Sequence, residues 1–284
     1  MRYRFLRFPE GKAKAVTLSY DDGCRQDERF VEILNRNGLK CTFNHNSDES
    51  KKSHCFNANQ VKELFLNEGH EIAVHGYWHR ANGSQRPIDG IRDVLDNRLQ
   101  LEAKLGCIIR GMAYPDTGIN YLENGTTYDM IKQYLTQLDI VYARTLAGDN
   151  DKFELPRDWH AWVPTAHHQN PLLMEYIDKF LALDLSPARY HARRGPALFY
   201  LWGHSYEFDH NNNWDLAEAM CEKLGNKEDV WYATNMEIYE YVTAYRSLIY
   251  SADGSMVKNP TLHKIWFDID GTEYVIEPGQ TLHL

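Results

Sequence analysis

Two acids stand side by side at Asp21 and Asp22 in "SYDDG", after an apolar run and before a glycine. Neighbouring side chains on an extended strand point to opposite faces, so two adjacent carboxylates at a strand end can be split between two tasks. The plainer alternative is a strand closed by an Asp-Gly turn. His75 and His79 in "HGYWH" lie four residues apart, which lets both imidazoles reach one cation from a helical turn or a tight loop. Asp22 would complete a facial set of two imidazoles and one carboxylate with positions left open. A divalent cation held there lowers the pKa of a bound water and polarises a carbonyl, which suits hydrolysis of an amide or ester. Asp21 could then take the water's proton, and His204 in "LWGHSYEF" could return one to the leaving group. Among thirteen histidines chance pairs are expected, and His204 alone could be a loop residue bonded only to backbone. What sets the five apart is that each follows a strand-like run.

Seven such runs are legible: "AVTLSY" at 15–20, "KCTFNH" at 40–45, "EIAVH" at 71–75, "IIRGMA" at 108–113, "IVYAR" at 140–144, "ALFYLW" at 197–202 and "VWYA" at 230–233. Helical patterns separate them. In "IRDVLDNRLQLEAKL" the residues Ile91, Val94, Leu95 and Leu99 form one stripe before Gly106 stops it, and "TNME" places Thr234 and Glu237 at capping-box spacing. Repeated β-α units imply parallel strands with helical crossovers, and about seven of them imply a closed or nearly closed barrel, with a doubly wound open sheet as the alternative. In either architecture the carboxyl ends of the strands gather at one face, where Asp21, Asp22, His75, His79 and His204 would meet. Beyond residue 245 the pattern changes: "IYSADGSMV" and "KIWFDIDGTEYVIE" each carry Asp-Gly between β-favouring runs, a hairpin signal. The expected organisation is an α/β barrel over 1–245 and a small antiparallel β appendage over 246–284.

At 284 residues, 43% hydrophobic and 25% charged, the chain reads as an ordinary globular protein with no membrane span. A net charge of −9 argues against general nucleic-acid binding and favours a neutral substrate. Five cysteines without a C-x-x-C pair read as free thiols, and Cys24 as a packed residue. The start "MRYRFLRFPEGK" interleaves Arg with aromatics and lacks an apolar signal-peptide core, so the expected location is cytoplasmic. Oligomeric state is not legible.

"SYDDG", "HGYWH" and "LFYLWGHS", in that order and at strand ends, resemble the first, second and last motifs of the polysaccharide deacetylases of carbohydrate esterase family 4, the NodB-homology domain. The resemblance covers roughly residues 13–245 and implies a distorted barrel of seven or eight β/α units. It also implies removal of N-acetyl, or alternatively O-acetyl, groups from an acetylated carbohydrate with one divalent metal, usually zinc, with cobalt, nickel or manganese as alternatives. By position, Asp21 would be the base, Asp22, His75 and His79 the metal ligands, and His204 the acid.

The third motif departs from the family. "RGMAYPDTG" puts Ala113 where an Arg is expected and adds a residue between Pro115 and Gly118, so Tyr114 and Asp116 are both candidates for the amide that would hold an oxyanion. The arginine that the family pairs with its base must then come from elsewhere. Arg144 ends the fifth strand on the same face and is the candidate, whereas Arg110 sits at the wrong end of its strand. The fourth motif corresponds to "RDWHAWVPTAHH", with Asp158, Trp159 and Trp162 as candidates for a sugar-lining groove and His167 and His168 in a loop beside it. His45 ends a strand and could border the site. The rival functions are an amide or cyclic-imide hydrolase acting on a non-sugar compound, and a noncatalytic carbohydrate-binding protein.

Overall fold

The computed structural model describes residues 3–47, 56–146, 150–185 and 195–284. Along the chain run β1 (Arg4–Arg7), β2 (Lys14–Asp21), α1 (Asp27–Arg36), β3 (Cys41–His45), α2 (Ala58–Val61), β4 (Glu71–Val74), α3 (Pro87–Leu105), β5 (Gly111–Ala113), α4 (Tyr128–Gln137), β6 (Tyr142–Arg144), β7 (Ala166–His167), α5 (Leu173–Leu181), β8 (Ala197–Gly203), α6 (Tyr206–His210), α7 (Trp214–Leu224), β9 (Val230–Tyr232) and α8 (Asn235–Arg246). Five short strands follow: β10 (Ile249–Tyr250), β11 (Met256–Lys258), β12 (Ile265–Ile269), β13 (Thr272–Ile276) and β14 (Thr281–His283).

All seven expected barrel strands are present, and they join one eight-stranded parallel sheet in the order β6-β5-β4-β3-β2-β8-β7, with β9 also on β2. The eighth, β7, is only two residues long, too short for an alternation pattern to reveal it. The sheet curls into a nearly closed barrel. Across the gap between β6 and β7, the Trp162 amide donates to Ala143 O, the Thr145 amide to Trp162 O and the Thr165 amide to Tyr200 O, so the irregular segment before β7 ties both edges together.

Residue parity explains what faces where. On β2 the even positions Val16, Leu18 and Tyr20 join the large apolar cluster beneath the helices, together with Phe43, Ile72, Val74 and Met112 of the neighbouring strands. The odd positions face the barrel lumen: Ala15 joins Leu198, Tyr200, Tyr142 and Trp162 in a second cluster, where α8 packs through Ile238, Tyr241 and Val242. Above that floor the lumen turns polar. Thr17 bonds Asn235 at 2.8 Å, and Ser19 accepts from Asn44 at 2.7 Å. Burying such groups is tolerable only because each is paired.

Helix α3 ends at Gly106 in a left-handed cap, and α8 begins with the Thr234/Glu237 capping box. The stripe expected on α3 needs correction. Its buried residues are Gly90, Asp93, Val94, Asn97, Leu101 and Leu105, while Leu99 is exposed. Asp93 and Asn97 take inward positions because they hold the loop after β4.

The C-terminal strands form two antiparallel three-stranded sheets, β10-β11-β14 and β1-β12-β13. The β12–β13 hairpin turns through Asp270 and Gly271, both with positive φ, the geometry that Asp-Gly favours. The N-terminal β1 pairs with β12 across four residues, a contact between distant parts of the sequence that no local pattern announces. Among the described residues no helix is long and apolar enough to cross a membrane.

Candidate active site

The two acids are brought together by a backbone switch. Asp21 is the last residue of β2 and faces the lumen, whereas Asp22 leaves the strand with φ 77° and is followed by Gly23 at φ 60°. Left-handed backbone is unfavourable for most residues but accessible to Asp. It turns the Asp22 side chain back over the barrel mouth, so the second carboxylate joins the first instead of taking the opposite face. The Asp22 amide is fixed by a 3.0 Å bond to Asn44 O.

Asp22 Oδ1 lies 3.6 Å from His75 Nε2 and 3.2 Å from His79 Nε2, and the ligand atoms of all three residues fall within 4.8 Å of one another. His75 Nδ1 lies 3.0 Å from Ala113 O. A carbonyl can only accept, so Nδ1 carries the proton, and the neutral ring presents a bare Nε2 lone pair to a carboxylate. Two electron-rich groups facing one another across a few ångströms fit a cation between them, and the imidazole–imidazole–carboxylate donor set suits a divalent one. Burial holds the His75 pKa below the ordinary imidazole value despite the two acids nearby, keeping the ring neutral as a ligand must be. Burial works against ionisation of Asp22, but the bond to His79 and the imidazoles around it outweigh burial and hold its carboxyl well below the usual range.

The loop that carries both histidines is keyed to α3. Asn97 Oδ1 accepts from the His75 amide at 2.9 Å, Asp93 O from the Tyr77 amide at 2.9 Å, and Asp93 Oδ1 from the Trp78 amide at 2.6 Å. Gly76 has φ 74°, and a Cβ there would lie 2.6 Å from Asp93 Oδ2, so only glycine lets the loop approach the helix this closely.

Asp21 is 1% exposed and held from two sides, by Asn44 Nδ2 on Oδ1 at 2.8 Å and by the Arg144 guanidinium on Oδ2. Ala113 and Arg144 are register partners on adjacent strands, so the arginine reaching Asp21 stands one strand over from the position at which the resembled motif carries it. The Arg144 guanidinium also lies over the Trp202 ring, 4.3 Å from its centroid. Burial raises the Asp21 pKa, but Arg144, His75 and His204 together bring it below the ordinary carboxylate value. Asp21 Oδ2 is 3.8 Å from His75 Nε2 and 3.9 Å from His204 Nε2.

His204 follows β8 at the rim. Its Nδ1 is 3.4 Å from Glu207 Oε2, which also lies 3.2 Å from His167 Nε2 and 3.2 Å from His168 Nε2. Burial lowers the His204 pKa, but Glu207, Asp21 and Asp22 more than reverse this and raise it above the ordinary value.

Six expected contacts fall elsewhere. The Tyr114 amide is already donated to Arg144 O and its hydroxyl bonds His160 O, because position 114 points toward the helices and not into the lumen. Trp162 is 1% exposed and edge-on to Tyr142 in the barrel floor, so it packs and cannot stack on a substrate. His168 is buried between Tyr20 and Phe208, with its Nε2 3.2 Å from Glu207 Oε2. Asp158 bonds Tyr128 and Lys132 on the outside, while Asp116 is exposed at φ 52° in the turn after Pro115. His45 faces away from the lumen, edge-on to Phe65; its neighbour Asn44 points in. Arg110 bonds Asp139 on the surface. Cys24 is buried, 2.9 Å from Ser205 Oγ.

Asn44 and Glu207 went unnoticed in the sequence. Asn44 shares lumen parity with Asp21 on the adjacent strand, and Glu207 stands three residues after His204.

Residues 9–134 match the family model described as polysaccharide deacetylase. A Mycobacterium smegmatis protein described as a polysaccharide deacetylase aligns over 87% of this chain and 96% of its own, at 16% identity and TM-score 0.56. A variant of the peptidoglycan deacetylase PdaC from Bacillus subtilis aligns over 82% of this chain and 93% of its own, at 13% identity and TM-score 0.50. A carbohydrate esterase family 4 pseudoenzyme from Bacillus anthracis aligns over 83% of this chain and 68% of its own, at 14% identity and TM-score 0.46. No curated protein matches the chain.

Proposed function

We propose that the chain is a divalent-metal-dependent deacetylase that removes N-acetyl, or alternatively O-acetyl, groups from an acetylated carbohydrate. The observation that carries this reading is the placement of Asp21: bonded to Arg144 and Asn44, it sits within 4 Å of both His75 and His204, beside the Asp22, His75 and His79 cluster. Asp22, His75 and His79 would hold the metal, which supplies an activated water and a polarised carbonyl. Asp21, kept ionised by Arg144, accepts the water's proton. Arg144 and Asn44 fix both carboxylate oxygens, so the base needs no reorientation. His204 donates the proton that the leaving amine requires, and the Glu207 and Asp21 carboxylates beside it favour its protonated form. The barrel through residue 245 would carry this chemistry, with the strands after it serving as packing. Cys24, Cys41, Cys107 and Cys221 are free thiols, which supports a reducing compartment.

The test is acetate release from N-acetylglucosamine oligomers by chelated and zinc-reloaded protein. Release that chelation abolishes and zinc restores supports the reading. Metal-loaded protein that is inert on these oligomers but opens cyclic imides would move the assignment to the amide-hydrolase alternative. Binding of the oligomers without turnover would make the protein a noncatalytic binder.

A further inference from the structure

Glu207 Oε2 collects three imidazole nitrogens, more than orienting one histidine requires. We propose that His167, His204 and Glu207 form a second divalent-cation site, separate from Asp22, His75 and His79, whose occupancy takes His204 out of catalysis. Its catalytic consequence rests on the reading of His204 as the proton donor; the site itself does not.

The donor atoms are already spaced for a metal. Ligands at the ordinary zinc–nitrogen and zinc–oxygen lengths of a tetrahedron stand roughly 3.3 Å apart. Glu207 Oε2 is 3.2 Å from His167 Nε2 and 3.4 Å from His204 Nδ1, and the ligand atoms of the three residues all lie within 4.8 Å of one another. His168 Nε2 faces the same oxygen at 3.2 Å. His168 Nε2, His204 Nδ1 and Glu207 Oε2 are each buried and meet at ion-pair distances without well-aligned hydrogen-bond geometry. Polar atoms so placed carry a desolvation cost that a cation would offset.

The frame is rigid. His168, 1% exposed, is stacked against Tyr20 and Phe208, and its Nδ1 is engaged by the Tyr20 hydroxyl at 3.2 Å. A Cβ at position 203 would fall 2.0 Å from His168 Nδ1, so Gly203 is what lets this histidine pack against the end of β8. Imidazole nitrogens with one carboxylate suit zinc, cobalt, nickel or copper better than magnesium or calcium.

His204 thus stands between two sites, with Nε2 toward Asp21 and Nδ1 toward Glu207. A cation on Nδ1 occupies one of the two nitrogens that must both carry protons in an imidazolium. The ring can then no longer lose a proton at Nε2 and regain it in each turnover. The metal that completes the first site would inhibit through the second.

The experiment uses the full chain, stripped with chelator and titrated with zinc against a chromophoric zinc indicator. Wild type should bind two equivalents, His167→Ala one, and His75→Ala one, the last retaining only the second site. His167→Gln, which preserves more side-chain volume, repeats the measurement should the alanine variant fail to fold. In parallel, zinc beyond one equivalent should depress wild-type turnover by on the order of 10²-fold, the usual worth of a general acid, and should not do so in His167→Ala. A single equivalent in wild type, or a second one that survives both His167 substitutions, overturns the site. A second equivalent lost in His167→Ala but without effect on wild-type turnover upholds the site and instead removes His204 as the acid.

Discussion

At Asp22 the chain adopts φ 77° one residue after a strand whose alternation would have sent this side chain to the outer face. The cost of a left-handed non-glycine residue, about 1 kcal/mol, places two carboxylates in one site with different partners: Arg144 and Asn44 on Asp21, imidazoles on Asp22. Asp21→Asn should therefore retain metal and lose a factor on the order of 10² to 10⁴ in kcat, whereas Asp22→Asn should lose metal. Metal analysis beside kinetics separates the two, and equal metal loss in both would end the division of labour. Arg144→Ala should keep metal but lower kcat and move the acidic limb of the pH–rate profile upward. A base works only when deprotonated, Arg144 lowers the Asp21 pKa, and its removal lets that pKa rise. Arg110→Ala, which severs only a surface pair with Asp139, is the control and should leave the profile in place.

Parity is what made some of these residues legible and others not. Asp21 and Arg144 end strands at lumen-facing positions and His75 directly follows one, so their places in the fold could be read from the sequence. Tyr114 and Trp162 were drawn toward the site by their motif, but position 114 faces the helices and Trp162 lies in the floor of the barrel, facts that depend on register and depth. His45, expected at the border of the site, faces away from the lumen, edge-on to Phe65, for the same reason.

At the scale of elements, the inward polar positions of α3 set the geometry of the loop after β4. Asp93 caps the Trp78 amide, so Asp93→Ala should loosen His79 more than it loosens the fold. A loss of 10 to 100-fold in metal affinity, the order expected for an outer support of a ligand, with little change in Tm, is the outcome to look for by competition with a zinc indicator. The same polar positions misled the helical reading: a stripe drawn through apolar residues selected Leu99, which is exposed, because the face it should have followed contains Asp93 and Asn97. Helix ends were more legible because caps are local, as at Thr234 and Gly106.

The start of α1 carries a separate titration. Asp27 is wholly buried and receives the Ser205 hydroxyl at 2.6 Å, and burial pushes its pKa up to about 7, although its bonds to Ser205 and Cys24 act the other way. Between roughly pH 4, where an unfolded Asp ionises, and pH 7, the folded protein holds a proton that the unfolded chain has released. Stability contributed by this group is thus present below that window and lost as pH rises through it, by a few kcal/mol at most on the order-of-magnitude linkage scale. Asp27→Asn should flatten this part of the profile, so its Tm relative to wild type should improve from pH 5 to pH 8; an unchanged difference across that range would show that Asp27 is ionised in the folded protein.

For the whole molecule, the seven-strand count and the parallel architecture were readable because short β-favouring runs alternate with helical patterns; β2 is buried along all eight residues although Lys14, Thr17, Ser19 and Asp21 are polar. The closure of the barrel was not. It depends on single bonds through Trp162 and on a two-residue strand, neither of which leaves a periodic trace. The joining of β1 to β12 was equally hidden, since pairing over such a separation is decided by surface fit after collapse.

β2 has one edge divided between two neighbours: Lys14–Val16 pair with β9, and Leu18–Asp21 with β3, while β8 occupies the other edge from Lys14 to Tyr20. This arrangement governs the order of events in time. The strand that ends in Asp21 emerges early in synthesis but cannot complete its ladder until residues near the far end of the barrel have been made. Loop-closure entropy for such distant partners must be overcome before their bonds form, so the central strand should be a late, slow element. Pulse-labelled hydrogen exchange during refolding should show the β2 amides gaining protection no sooner than those of β8, and well after the amides inside α3. Early protection of β2, ahead of β8, would mean that a nucleus of β2 and β3 forms first. If the late order holds, Asp21 is the last of the site's groups to be fixed, and a nascent chain carries its histidine loop long before it has a barrel to close over.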